Sequence, residues 1–168
     1  SATVLCTDKT GTLTQNKMSI AYLKSGSEEW NGQREEKFSP EILHLLKSGA
    51  MASKQDSYDS MDMAFFENPA LKEEGLNNLQ ADFHFGLQPQ LLMMAQVYQQ
   101  DNKSYKIFAK GAPEAIVKAC SLSTEHIQKI LQDVEKLAKK GLRILAVAEA
   151  NMAGTSLPDT ADQFEYRF

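Results

Sequence analysis

The chain has 168 residues, 42% of them hydrophobic, and a formal net charge of -4, which is enough to bury one core with room for part of a second domain. Its acidic and basic residues are interleaved, which excludes a nucleic-acid or anionic-membrane surface built from clustered Lys and Arg, so any anionic ligand must be met by a few placed cations. Cys6 and Cys120 lie far apart without metal-ligand spacing and fit a reducing compartment, and no apolar run approaches the ~20 residues of a membrane helix or the order of a signal peptide.

In chain order, Thr3 to Cys6 is a short β-prone run that passes into the polar loop Thr7 to Thr14. A second β-prone run, Met18 to Leu23, precedes a polar region from Lys24 to Lys37 that reads as a hairpin or loose loop. Ser39, Pro40 and Glu41 open a helix, because Ser caps, Pro suits the first turn and Glu complements the dipole; Ile42, Leu45, Leu46 and Gly49 follow at helical spacing. Asp59 to Phe66 reads as a short helix stopped near Asn68 and Pro69, and Gly75 to Gln80 as a connector. Leu91 to Tyr98 and Tyr105 to Ala109 are β-like, with a polar stretch of hairpin length between them that makes them antiparallel neighbours. Pro113 to Cys120 is helical. Ser123 to Lys140 is the strongest helix, with Ile127, Ile130, Leu131, Val134, Leu137 and Ala138 on one stripe and Gly141 after it. Leu142 to Ala148 returns as a strand, and Asn151 to Asp162 reads as a linker before Phe164 to Phe168.

Asp8, Lys9, Thr10, Gly11, Thr12, Leu13 and Thr14 follow the first apolar run directly. That order presents Asp8 at the carboxyl end of a strand, where open α/β sheets place ligands. A carboxylate there can act as a nucleophile, Lys9 adds positive charge, and Gly11 with the threonine hydroxyls suits a loop that holds a phosphoryl group. The seven residues also match the signature of the P-type ATPases without a substitution, and on them the chain is identified as a member of that family. The resemblance implies that Asp8 accepts the γ-phosphoryl of ATP, and that Thr10 helps bind phosphate and, with Asp8, magnesium. Related haloacid-dehalogenase-like phosphatases carry a second Asp two positions after the nucleophile. Thr10 stands there instead, so an aspartyl phosphate lacks its general acid-base and persists.

Lys110, Gly111, Ala112, Pro113 and Glu114 resemble the KGAPE element of the family's nucleotide-binding domain. Gly111 permits close backbone approach, Pro113 opens a helix, and Lys110 meets adenine or phosphate. Its bland reading is a strand-to-helix turn with an exposed Lys. Gly141, Leu142 and Arg143 are similar to the family's GLR strand, whose Arg reaches the nucleotide phosphates with a planar fork; a surface ion pair is the competing reading. Asp59 to Ala64 resembles an acidic helix-start element, which implies that Asp62, with Asp59 second, bonds the adenine amino group; helix capping by Asp59 is the alternative. Phe85, chosen over Phe83, is the expected adenine-stacking ring, with burial in the core as its alternative. Gly86 to Leu92 carries no basic residue where animal calcium and sodium pumps have Arg and Lys, which implies weaker nucleotide affinity. His44, His84 and His126 lack ligand spacing.

The expected fold is α/β in the α+β sense: a twisted, mainly antiparallel sheet flanked by helices, with a small piece of a haloacid-dehalogenase-like phosphorylation domain. Residues 1–20 are assigned to the phosphorylation strand, loop and hinge, 21–160 to the nucleotide-binding domain, and 161–168 to the returning hinge. Both ends read as cut from something larger. Implied partners are ATP and the remaining phosphorylation, actuator and transmembrane domains of the same pump, at the cytoplasmic face of a membrane, with a monomeric fragment and no nucleic acid. The calcium-pump-like branch is favoured, because heavy-metal pumps lack KGAPE. The Gly-Asp-Gly-x-Asn-Asp element that completes the magnesium site is absent from the sequence, so the fragment is expected not to phosphorylate itself efficiently. A stand-alone aspartate-nucleophile phosphatase and a non-catalytic nucleotide-binding module are the alternatives.

Overall fold

The computed structural model describes residues 17–32, 37–72, 80–101, 103–154 and 156–168. The expectations on Cys6, Asp8, Lys9, Thr10 and the phosphorylation-domain piece therefore lie outside the described residues, as does most of the 75–80 connector.

Strands β1 (Tyr22–Ser25) and β2 (Glu28–Asn31) form a hairpin around Gly26 and Ser27. Gly26 has a φ of 56°, the left-handed conformation that a two-residue hairpin turn requires. Helix α1 (Pro40–Met51) starts as its sequence dictates: the Ser39 side chain accepts a hydrogen bond from the Ile42 amide, and Pro40 occupies the first turn. Ile42, Leu46 and Ala50 lie one turn apart on α1 and pack with Leu23, Phe65 and Leu71 in one apolar cluster. Full burial of a side chain such as Ile42 or Leu46 stabilises the fold by about 1.5–3 kcal/mol.

Helix α2 (Ser60–Phe66) is capped by Asp59, whose carboxylate accepts from the Met61 amide at 2.7 Å, and the short α3 (Pro69–Lys72) follows. Strands β3 (Phe83–Phe85), β4 (Met93–Asp101), β5 (Ser104–Gly111) and β6 (Ala146–Ala153) form a four-stranded antiparallel sheet in the order β3-β4-β5-β6. Helix α4 (Pro113–Ala119) follows β5, and α5 (Thr124–Ala138) precedes β6.

Directly opposed residues in a ladder share a sheet face. Phe85, Ala95, Ala109 and Ala148 are opposed in turn and face the larger core with Ile116, Cys120, Phe164 and Tyr166. The other face carries Met94, Lys110 and Val147 in one row and Gln96, Phe108 and Glu149 in the next. Contacts from Tyr98 to the Met51 carbonyl, Glu149 to Ser48 and Lys110 to Ser53 place α1 over that face. The result is the mixed architecture expected, an antiparallel sheet with helices on both sides.

Several element boundaries differ from the sequence reading, most of all those of the first and last described strands. The first described strand is Tyr22–Ser25 rather than Met18 to Leu23, because pairing with Glu28–Asn31 fixes its ends. The last long strand is Ala146–Ala153 rather than Leu142 to Ala148, and residues 151–153 are strand, not linker. Alternating burial of Ala146, Ala148 and Ala150 against β5 extends that strand, a period carried by residues too small to dominate a hydropathy reading. A 3-10 turn, Ala161–Gln163, also falls in or beside the expected linker, with Ala161 buried in the main core. No helix among the described residues is long and apolar enough to cross a membrane.

Candidate functional site

Lys110 occupies the end of β5 on the face covered by α1 and α2, and it is 3% exposed. An ammonium carries three protons and must find partners when removed from water. Asp62 supplies one, through a direct contact between its Oδ1 and Lys110 Nζ. Ser53 supplies the second, its Oγ accepting from Nζ at 2.7 Å. The ring of Phe65 supplies the third, with Nζ 5.4 Å from its centroid, inside the range of a cation-π contact.

These partners come from two short segments. Asp62 and Phe65 are three residues apart on α2 and so project from one side of it. Ser53 lies just beyond the end of α1, where its hydroxyl donates to the Gly49 carbonyl oxygen at 2.8 Å. Gly49 completes the arrangement: a Cβ there would collide with Phe65 Cε1 and lie 2.7 Å from Cζ, so only glycine lets the ring settle against α1. Burial holds the Lys110 ammonium below its ordinary pKa, while the hydrogen bond and charge of Asp62, with the more distant charge of Asp59, act in the opposite direction.

Gly111 follows on the sheet. A Cβ at this position would collide with the Leu92 carbonyl oxygen and lie 2.6 Å from Met93 Cα. The absent side chain lets β4 and β5 close at their end, where the Ala112 amide reaches the same Leu92 carbonyl at 2.8 Å before Pro113 opens α4. Close approach is therefore required here by the backbone of a neighbouring strand.

Beside the lysine nest lies a half-open cavity of about 840 Å³. Its walls are residues 18–27, which span β1 and its turn, together with α1, Met61, Ala64 and Phe65 of α2, one side of α5, and residues 141–147. The stripe on α5 explains this wall: Ile130, Val134 and Leu137 line the cavity, and no residue of α5 is fully buried. Lys24 ties the hairpin to α5 by reaching Asp133 at 3.0 Å, and this contact, ahead of that of Lys136, holds the Asp133 carboxyl below its usual range. Arg143 is exposed and lines the cavity. Lys110 does not line it. Two of its immediate neighbours do: Phe65, over its ammonium, and Val147, opposite it across β5 and β6.

The structure thus brings Asp62 and Lys110 together and sets Arg143 in a cavity that reaches their neighbours. It does not bring Phe85 to them. The pairing of Phe85 with Ala95 turns its ring to the opposite face, where it packs edge-on against Phe164 at 5.6 Å. The competing expectation for this ring, burial in the core, describes its surroundings. Phe83 points to the same side as Phe85 by strand parity and is exposed. Lys110, expected at an exposed turn in the bland reading, is instead enclosed. Asp59 is the helix cap. Ser53, Phe65 and Gly49 escaped the sequence reading; the three-residue spacing of Phe65 from Asp62 was the one signal that could have found an aromatic on that face.

A chemistry follows from this arrangement. An apolar cavity of several hundred cubic ångströms with a few placed polar groups is the usual form of a small-molecule site. Here the charged groups that line it include the planar Arg143 fork with Lys24, Lys129, Glu41 and Asp133, while the Lys110–Asp62 pair lies behind the Phe65 wall. That suits a ligand with a flat apolar part and an anionic end.

The family model described as P-type ATPase, cytoplasmic domain N, matches residues 77–167. The chain is also similar to MJ1226 of Methanocaldococcus jannaschii, a protein named as a cation-transporting ATPase, with 32% identity over 148 residues. That alignment covers 86% of this chain and 17% of the relative, so the chain spans only a small part of the relative's length.

Proposed function

Because this chain belongs to the P-type ATPase family, through its cytoplasmic domain N, we propose that the lobe holds ATP in the cavity bounded by α2, α5 and residues 141–147 and offers its γ-phosphoryl group to Asp8. The observation that carries this reading is the position of Arg143 in a cavity of about 840 Å³ whose wall includes two immediate neighbours of Lys110, Phe65 and Val147. The guanidinium suits the phosphates, because its fork pairs with two oxygens at once. The apolar wall of Phe65, Val147 and Leu145 suits the base. Asp62 pairs with Lys110 behind this wall and does not line the cavity, so it acts on the base through the Phe65 ring rather than as the acceptor of the adenine amino group.

In the transfer itself, a carboxylate oxygen of Asp8 attacks the γ-phosphorus, the bond from that phosphorus to the β,γ-bridging oxygen breaks, and ADP leaves with the bonding electrons. Lys9 and Thr10 would neutralise and orient the phosphoryl oxygens. Magnesium, when bound through Asp8 and Thr10, would screen the phosphate charge. Those two residues lie outside the described ones, and among the described residues no three metal-ligating side chains gather. In this proposal residues 1–20 belong to the phosphorylation unit, 21–160 to the nucleotide lobe and 161–168 to the returning hinge. The pump would work at the cytoplasmic face of a membrane with its actuator and transmembrane domains, and calcium is its proposed cation on branch likeness.

Titration of ATP into the protein, followed by amide chemical shifts, tests the reading. Shifts are expected at Phe65, at residues 142–147 and at the Lys110 turn. Arg143→Ala should weaken ATP by about tenfold or more, the loss of charge-assisted hydrogen bonds, and leave adenosine binding unchanged. Shifts confined to other surfaces, or equal losses for ATP and adenosine, would contradict it.

A further inference from the structure

We infer that Ser53 is a positioning residue for nucleotide recognition: its hydroxyl fixes the Lys110 ammonium against Asp62 by accepting one of its hydrogen bonds. The inference deepens the proposed ATP site and rests on that reading. Its basis is the hydrogen-bond inventory of the nest. A serine hydroxyl has one proton and two lone pairs. The proton goes to the Gly49 carbonyl oxygen, 2.8 Å away, one of the last four carbonyls of α1, which a helix leaves short of amide partners. With its proton committed, Ser53 Oγ faces Lys110 Nζ as an acceptor only, at 2.7 Å.

The rest of the nest leaves the ammonium little freedom. Asp62 takes one proton, the Phe65 ring occupies a second direction, and the Lys110 side chain is 4% exposed, so water is not available as a substitute. Ser53 thus decides whether the third direction is satisfied. It also couples the end of α1 to α2, since Lys110 is the shared partner of Ser53 and Asp62. Without the hydroxyl acceptor the ammonium has reason to leave this geometry, and the Asp62 carboxylate and Phe65 ring lose the cation that orders them. Neither Ser53 nor Lys110 lines the cavity, so the effect of Ser53 on a ligand passes through Lys110 to the Phe65 ring, which does line it.

The test compares Ser53→Cys, which keeps the side-chain size but offers a poor acceptor, with Ser53→Thr, which keeps the hydroxyl. Each is read by ATP titration and by the ligand-free side-chain Cε resonance of Lys110. Ser53→Cys is expected to weaken ATP by about fivefold to tenfold and to move the Lys110 resonance, while Ser53→Thr stays within about twofold of the parent on ATP and leaves the resonance in place. The inference is overturned if Ser53→Cys binds ATP like the parent, if it loses affinity with the Lys110 resonance unmoved, or if Ser53→Thr fails in the same way as Ser53→Cys. Failure of the underlying ATP reading looks different: the parent itself would show no ATP shifts at the Lys110 turn or residues 142–147. Should Ser53→Cys fail to fold, the Thr variant still decides, since loss of affinity with a displaced Lys110 resonance in a folded Ser53→Thr protein is also counter to the inference.

Discussion

Gly111→Ala isolates the physical reason for a glycine at the lysine turn. Gly111 is not among the glycines with positive φ, so alanine meets no objection from its backbone conformation. The objection is steric, because the new Cβ would collide with the Leu92 carbonyl oxygen and lie 2.6 Å from Met93 Cα and 2.8 Å from its Cβ. Rotamer change cannot relieve contacts with backbone. β5 cannot slide either, since Gly111 is opposed to Met93 on one side and to Ala146 on the other. The cost therefore falls near the upper end of the ~1–3 kcal/mol range for overpacking. Alanine recovers ~0.4–1 kcal/mol by restricting the unfolded chain, which leaves a net loss of about 2 kcal/mol. For a chain of this size that corresponds to a fall in Tm of about 4–8 °C. Gly86→Ala is the control, because a Cβ there meets nothing within 4 Å, and it should melt at or slightly above the parent temperature. Thermal unfolding by circular dichroism reads both. If Gly111→Ala melts with the parent, or if the two alanines behave alike, the close-approach argument is wrong.

Two further outcomes follow from buried titratable groups. The Tyr98 hydroxyl donates to the Met51 carbonyl oxygen at 2.9 Å, and burial, ahead of the charge of Asp82, pushes its pKa up to about 12. Because the folded value lies above the unfolded one, this contribution is complete below pH 10.0 and is lost as pH rises toward about 12; urea midpoints should fall across that window, less steeply in Tyr98→Phe, and identical slopes would count against it. Burial likewise raises the Cys120 thiol to about 11, so in a Cys6→Ser background iodoacetamide near neutral pH should label the protein slowly until urea is added; rapid labelling of the folded protein would show the thiol to be accessible.

What the sequence disclosed was local. The Ser39 cap, the Asp59 helix start, the β4–β5 hairpin and the α5 stripe each depend on residues within a few positions of one another, and each appears in the fold. Strand ends were less legible. Leu142 to Leu145 has the composition of a strand, yet β6 begins at Ala146 because pairing with Gly111 sets that end of the ladder. Composition reports β-propensity; the partner decides where pairing begins and stops.

The assembly of the site was harder still, because it depends on parity between distant strands. Phe85 and Lys110 were grouped by resemblance to motifs, and nothing in either segment states which sheet face it occupies. The register does: opposing Phe85 to Ala95 and Lys110 to Met94 puts the two side chains on opposite faces, and a slip of one residue in the β3–β4 pairing would reverse the relation. Conversely, Asp62 and Lys110 lie 48 positions apart, and their opposite charges show compatibility without showing contact. The buried pair forms because α1 and α2 cover the lysine's face, and burial makes each charge require the other. The aromatic that meets Lys110 is consequently Phe65, supplied by the helix that also supplies Asp62. A ring on the sheet edge is not needed to complete that nest.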